Sequence, residues 1–154
     1  MIPVLQAMLL ADHLYSDRDT GKKIIVGVFH RLLFTSNPLP LKTVERDGKE
    51  QQVIPGGLHS GSPYLYISLV DVRGTQPFTL RYVDLENYNP VFQTDFEIDC
   101  KDPLETVEVV LPLPKLPTVK AGKFVFELIC RDEPVGSYRI SVEEFNIEGQ
   151  DNDH

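Results

Sequence analysis

The sequence predicts an all-β protein, and three observations carry that expectation. Valine and isoleucine number 16 and 9 against only 3 alanines, and β-branched side chains, stiff at χ1 in a helix, fit a pleated surface. The 12 prolines are spread along the chain, among them Pro38, Pro55, Pro63, Pro77, Pro90, Pro103 and Pro134, leaving few windows long enough for an uninterrupted helix. Several segments alternate apolar and polar side chains with a period of two. At 154 residues the chain is one domain's worth, able to bury roughly two thirds of its unfolded surface without disulfides or a structural metal.

The opening segment, Val4 to Tyr15, is ambiguous by itself. Leu5, Met8, Leu9 and Asp12 have helical spacing and Pro3 suits a first helical turn, so local evidence slightly favours helix. Ile24 to Phe34 is a strand candidate in which Gly27 marks a bulge or a close backbone approach. Thr43 to Val53 is polar around Asp47-Gly48, a strong hairpin signal, and residues 41–62 are expected to project as a solvated ribbon or loop ending in a Gly-rich link from Pro55 to Ser62.

From Pro63 to Val72, Leu65, Ile67 and Leu69 share one face while Tyr64, Tyr66, Val70 and Val72 share the other, the mark of a central strand covered on both sides. Phe78, Leu80 and Tyr82 alternate with Thr79, Arg81 and Val83 beyond a Gly-containing turn, so these two strands should form a hairpin. Phe92, Thr94, Phe96, Ile98 and Cys100 alternate with Gln93, Asp95, Glu97 and Asp99, one face core and the other wet. Val107 to Leu113 runs into Pro112, Pro114 and Pro117, which remove ladder donors and place that strand at an edge. Phe124, Phe126, Leu128 and Cys130 then face Tyr138, Ile140 and Val142 across a turn at 132–136. The sum is an antiparallel β-sandwich of seven or eight strands, an immunoglobulin-like two-sheet architecture over residues 1–142. Residues 143–154 hold Glu143, Glu144, Glu148, Asp151 and Asp153 and no basic residue, which predicts a disordered acidic tail.

Three stretches together resemble a bacterial family of small uncharacterised β-sandwich proteins, a domain of unknown function. They are Gln6-Ala7-Met8-Leu9-Leu10-Ala11-Asp12, then Gly27-Val28-Phe29-His30-Arg31, and finally Gly122-Lys123-Phe124-Val125-Phe126-Glu127-Leu128 with Glu133-Pro134-Val135-Gly136. The resemblance covers nearly the whole chain apart from Thr43 to Ser62. It implies that Val4 to Tyr15 is a strand rather than a helix, and it implies no activity.

Charge and composition exclude several function classes. With 15 Lys and Arg against 23 Asp and Glu the formal charge is -8, and no basic run exceeds Lys22-Lys23, so a nucleic-acid partner is not expected. No apolar stretch approaches the roughly 18 residues of a membrane span. Met1 to Ala11 lacks a basic n-region and runs straight into Asp12 and His13, which reads as a cytoplasmic protein.

Candidate chemistry is sparse. Asp17-x-Asp19-x-Gly21 spaces two carboxylates so that their oxygens could turn toward Ca²⁺, yet an EF-hand loop would need an acid where Gly21 stands and Glu where Val28 stands. Asp84 and Asp132 could join Asp17 and Asp19 only if the fold brought separate loops together. Gly57-Leu58-His59-Ser60-Gly61 has its serine one place late for a hydrolase nucleophile turn. His13, His30, His59 and His154 are too scattered for a zinc motif. Tyr64, Tyr66 and Tyr82 read as cross-strand packing more readily than as a groove lining. Cys100 and Cys130 fall on apolar strand faces, so both thiols are expected buried and reduced.

No nucleophile, base and orienting group converge, and no cofactor is expected. The leading expectation is therefore a non-catalytic binding or assembly module whose partner is another protein or a second copy of the chain. The rival is a small calcium- or ligand-binding domain, or a metal-assisted enzyme, using the loop acids Asp17, Asp19, Asp71, Asp84 and Asp132.

Overall fold

The computed structural model describes residues 2–34, 42–53, 62–118 and 120–144. These hold eleven strands and no helix: β1 (Val4–Ser16), β2 (Lys23–Val28), β3 (Arg31–Phe34), β4 (Lys42–Arg46), β5 (Lys49–Val53), β6 (Tyr64–Val70), β7 (Gly74–Asp84), β8 (Asn89–Cys100), β9 (Val107–Pro112), β10 (Gly122–Cys130) and β11 (Glu133–Glu144). A four-stranded sheet has the order β2-β1-β6-β9 and a five-stranded sheet the order β3-β11-β10-β7-β8, while β4 and β5 pair with each other. All pairings are antiparallel except that of β3 with β11, which is parallel and makes the larger sheet mixed.

One apolar cluster draws on both large sheets. Met8, Leu10, Leu65, Ile67 and Leu69 come from the four-stranded sheet, and Phe78, Leu80, Tyr82, Phe126, Leu128 and Ile140 from the five-stranded one. The segment 4–16 is a strand, so packing overrides its helical spacing. Its inward residues Met8 and Leu10 are buried among those of β6, and a shift in register between Leu5 and Ala7 lets Gln6 drop out of the alternation.

The span from Ile24 to Phe34 divides into two strands in different sheets. At Gly27, with φ +74°, a Cβ would lie 2.6 Å from Asp12 Oδ2, so what comes close is a side chain rather than another backbone, and the left-handed φ favours glycine. The chain then crosses from β2 to β3. Phe29 N–H donates to Leu10 O at 3.0 Å, Tyr138 Oη–H donates to Phe29 O at 2.7 Å, and Ser141 N–H donates to His30 O at 2.8 Å. These bonds tie the crossover to the first and last strands.

A second expectation is corrected. β6 and β7 do not form a hairpin: β6 lies between β1 and β9, while β7 lies between β10 and β8. Asp71, at φ +58°, and the fully buried Val72 carry the chain from one sheet to the other, and Asp71 N–H donates to Pro103 O at 3.2 Å. Alternation tells which face of a strand a residue occupies, not which strands lie beside it in the sheet, and sequence proximity does not decide that.

The other hairpins match the expectation. Asp47 and Gly48 both take the left-handed conformation that a two-residue turn requires. The β10–β11 turn is tighter than anticipated, made by Arg131 and Asp132 at φ 50° and 64°, with Glu133 and Pro134 already in the strand. Glu143 and Glu144, expected in the tail, continue β11, where Glu143 pairs with Arg31 at 2.6 Å. The link at 54–61 and residues 145–154 lie outside the described residues.

An aromatic cluster fills the middle of the five-stranded sheet's inner face. Tyr82 stacks on Phe126 at 4.5 Å between ring centroids, on Phe124 at 5.4 Å and beside Phe92 at 5.3 Å. Its hydroxyl is buried and, among the described residues, has no hydrogen-bond partner. Burial, then the nearby Asp84 charge, pushes its ionisation above the ordinary tyrosine range. Tyr82→Phe should remove an unsatisfied group without leaving a hole and raise stability by about 1 kcal/mol in chemical denaturation. A loss of stability would show that the hydroxyl is satisfied in solution.

Candidate functional site

Asp17 and Asp19 share the β1–β2 loop, and Asp84 and Asp132 lie on other elements. Asp17 Oδ1 accepts hydrogen bonds from Asp19 N–H at 2.8 Å and Thr20 N–H at 2.9 Å, capping the β1–β2 loop. Those two amides, Thr20 first, hold its carboxyl below the usual range. Asp19 contributes its backbone to that loop.

Asp84 is elsewhere, buried at the end of β7, with its carboxyl held low by the Glu86 N–H and then by Lys120 Nζ at 3.1 Å. Such a group stabilises the fold above the ordinary carboxylate pKa, and that contribution fades as pH falls through the lowered value. Asp132 sits in the β10–β11 turn. Among the described residues no three His, Cys, Asp or Glu side chains are grouped to hold a metal. The thiols of Cys100 and Cys130 are both free and buried.

Two hollows are lined by described residues alone. A cavity between Asp12, Phe29, Leu32 and Leu116 encloses about 20 Å³, room for a single water rather than a ligand. A hollow over Phe78, Thr79, Asp95 and Phe96 opens broadly to solvent.

The distinctive surface is a sheet face. Leu65, Ile67 and Leu69 point into the core at 0% exposure, so the alternate residues Tyr64, Tyr66, Ser68 and Val70 point outward. The register fixes what stands beside them. Tyr64 is flanked by Ala11 and Pro112, Tyr66 by Leu9 and Val110, Ser68 by Ala7 and Glu108, and Val70 by Val4. On the other side of β1, Ala11, His13 and Tyr15 lie opposite Val28, Val26 and Ile24.

The result is a face four strands wide with one carboxylate, Glu108. Glu108 accepts the hydrogen bond of the Tyr66 hydroxyl, whose ionisation is raised by burial and then by that carboxylate. Ser68 joins the same network. His13 stacks on Tyr15 at 6.1 Å. Of the eight large apolar side chains that are exposed among the described residues, five lie here: Val4, Tyr15, Ile24, Val26 and Val28, each 44–54% exposed.

The outer face of the five-stranded sheet supplies an internal comparison. It presents Arg31, Arg81, Asp95, Glu127, Arg139 and Glu143, tied by Arg31–Glu143 at 2.6 Å, Thr79–Asp95 at 2.8 Å and Tyr88–Glu127 at 2.6 Å. One protein thus has one wet and one dry outer face, and contiguous apolar patches of that kind mark interaction sites.

Sequence reasoning found part of this face. Tyr64, Tyr66, Val70 and Val72 read from sequence as a second covered side of β6; the first three instead point outward and are half-buried, while Val72 is fully buried. The contribution of β2 was not, because Ile24, Val26 and Val28 join the face only through their register with β1. No helix among the described residues is long and apolar enough to cross a membrane. No model of a known protein family matches the chain, and no curated protein matches it either.

Proposed function

We propose that this chain is a non-catalytic binding or assembly module of immunoglobulin-like two-sheet architecture, working through the outer face of the four-stranded sheet against another protein surface. The observation that carries the reading is the contrast between the two outer faces: Glu108 alone against the many charged side chains of the other, Lys123, Glu97 and Asp99 standing there beside the six already named. Leaving apolar side chains in water forgoes about 25 cal/mol per Å² that a partner could recover.

Capture of partners from the native host tests the reading. Val28→Arg places a charge on the dry face at a side chain already 52% exposed, so the fold should tolerate it. Arg139→Glu changes the wet face. A protein retained by the wild type and by Arg139→Glu but lost with Val28→Arg is the expected result. Equal recovery with all three would remove this face from the function.

A further inference from the structure

We infer that the occupant of the dry face is a second copy of the same chain, the two four-stranded sheets stacking face to face about a twofold axis; this rests on the reading of that face as an interface. Three features point to a copy meeting the face rather than to a strand added at an edge, and to self-association rather than a charged partner.

First, the edges of the sheet are guarded. β2 begins at Lys23 and is interrupted by Gly27 in a left-handed conformation, and β9 closes on Pro112, with Pro114 and Pro117 beyond. Lysine, irregular backbone and proline are the devices that keep sheet edges from accepting another strand. The face carries no such device.

Second, the electrostatics favour like meeting like only here. The chain carries -8, so two copies repel wherever their charged surfaces approach. On this face the single carboxylate is already bonded to Tyr66, and Ser68 is bonded within the same group. Covering it with an identical face brings one carboxylate from each copy to the contact, each already accepting a tyrosine hydroxyl, where the other outer face would bring many. A strongly basic partner would find only the Glu108 carboxylate on the face to pair with.

Third, the size is right. Four strands of 13, 6, 7 and 6 residues, spaced about 4.8 Å apart and rising about 3.3 Å per residue, give roughly 500 Å² of plane. With side-chain relief that approaches the about 800 Å² per partner of a stable pair. Closed twofold dimers are also the commonest soluble assembly, since one patch serves both subunits.

Sedimentation of the purified full chain at tens of micromolar tests the inference. Expected are a species of twice the 17.5 kDa chain mass for the wild type and for Arg139→Glu, and monomers for Val26→Arg and for Val4→Arg at the far end of the face. Val26→Thr keeps the β-branched shape and guards against misfolding. It should weaken the dimer about tenfold, because two methyl groups leave the interface. A monomeric wild type overturns the inference, as does a dimer that persists in both arginine variants. A monomeric wild type whose captured partner is still lost with Val28→Arg means that self-association alone has failed while the face remains the interface.

Discussion

Phe126→Ala should cost about 3–5 kcal/mol of unfolding free energy, the largest loss expected of any single truncation in this protein. Phe126 is fully buried on β10, the middle strand of the five-stranded sheet, with β11 on one side and β7 on the other. Its ring lies 4.5 Å from Tyr82 and 6.3 Å from Phe92. Neighbours that already stack on one another cannot collapse into the space, so the cavity term adds to the lost transfer energy. Domains of this size are stable by only about 5–15 kcal/mol, so the variant should melt far earlier. Leu104→Ala, at a side chain 87% exposed, is the control and should stay within about 0.5 kcal/mol of the wild type. A loss below about 1.5 kcal/mol for Phe126→Ala would mean that this cluster is not the centre of the core.

Gly136→Val should destabilise by about 1–3 kcal/mol, and Leu5→Ala should recover part of that loss. Gly136 lies on β11 of the five-stranded sheet, and Leu5 lies on β1 of the other. A Cβ at Gly136 would stand 2.1 Å from Leu5 Cδ2 and 3.4 Å from its Cγ. The backbone there is not left-handed, so the penalty is steric, set by how closely the two sheets approach. Truncating Leu5 opens that space. In a double-mutant cycle read by denaturant titration, the two substitutions should couple favourably by more than about 0.5 kcal/mol. Strict additivity would show that β1 and β11 do not touch there.

How much of this was legible in the sequence depends on whether a feature is local. The alternation in β8, the β10–β11 pair and the Asp47-Gly48 turn are short-range, and each stands where the pattern put it. Period-two patterning states which face a residue occupies, not which strand lies beside it. For that reason β6 and β7 were joined in one hairpin although they belong to different sheets, and Ile24 to Phe34 was read as one strand although Gly27 and the Phe29–His30 crossover divide it. The dry face shows the same limit. Its centre on β6 was visible in Tyr64 and Tyr66, whereas its margin needed the pairing of β2 with β1. Asp84 and Asp132 do not join Asp17 and Asp19 in a group among the described residues, because turns that look alike in sequence sit on different elements.

The parallel pairing of β3 with β11 has a kinetic consequence. Arg31 and Glu143, which meet across it, are 112 residues apart, so the five-stranded sheet cannot acquire that edge until β11 has been synthesised. At about 5–20 residues per second the wait is on the order of ten seconds. During it the β2–β3 crossover lacks the Tyr138 hydroxyl and the Ser141 amide that hold it. Nascent β1 and β2 would meanwhile present apolar side chains on both sides, so the N-terminal third of the fold stays open to misassociation until β11 arrives.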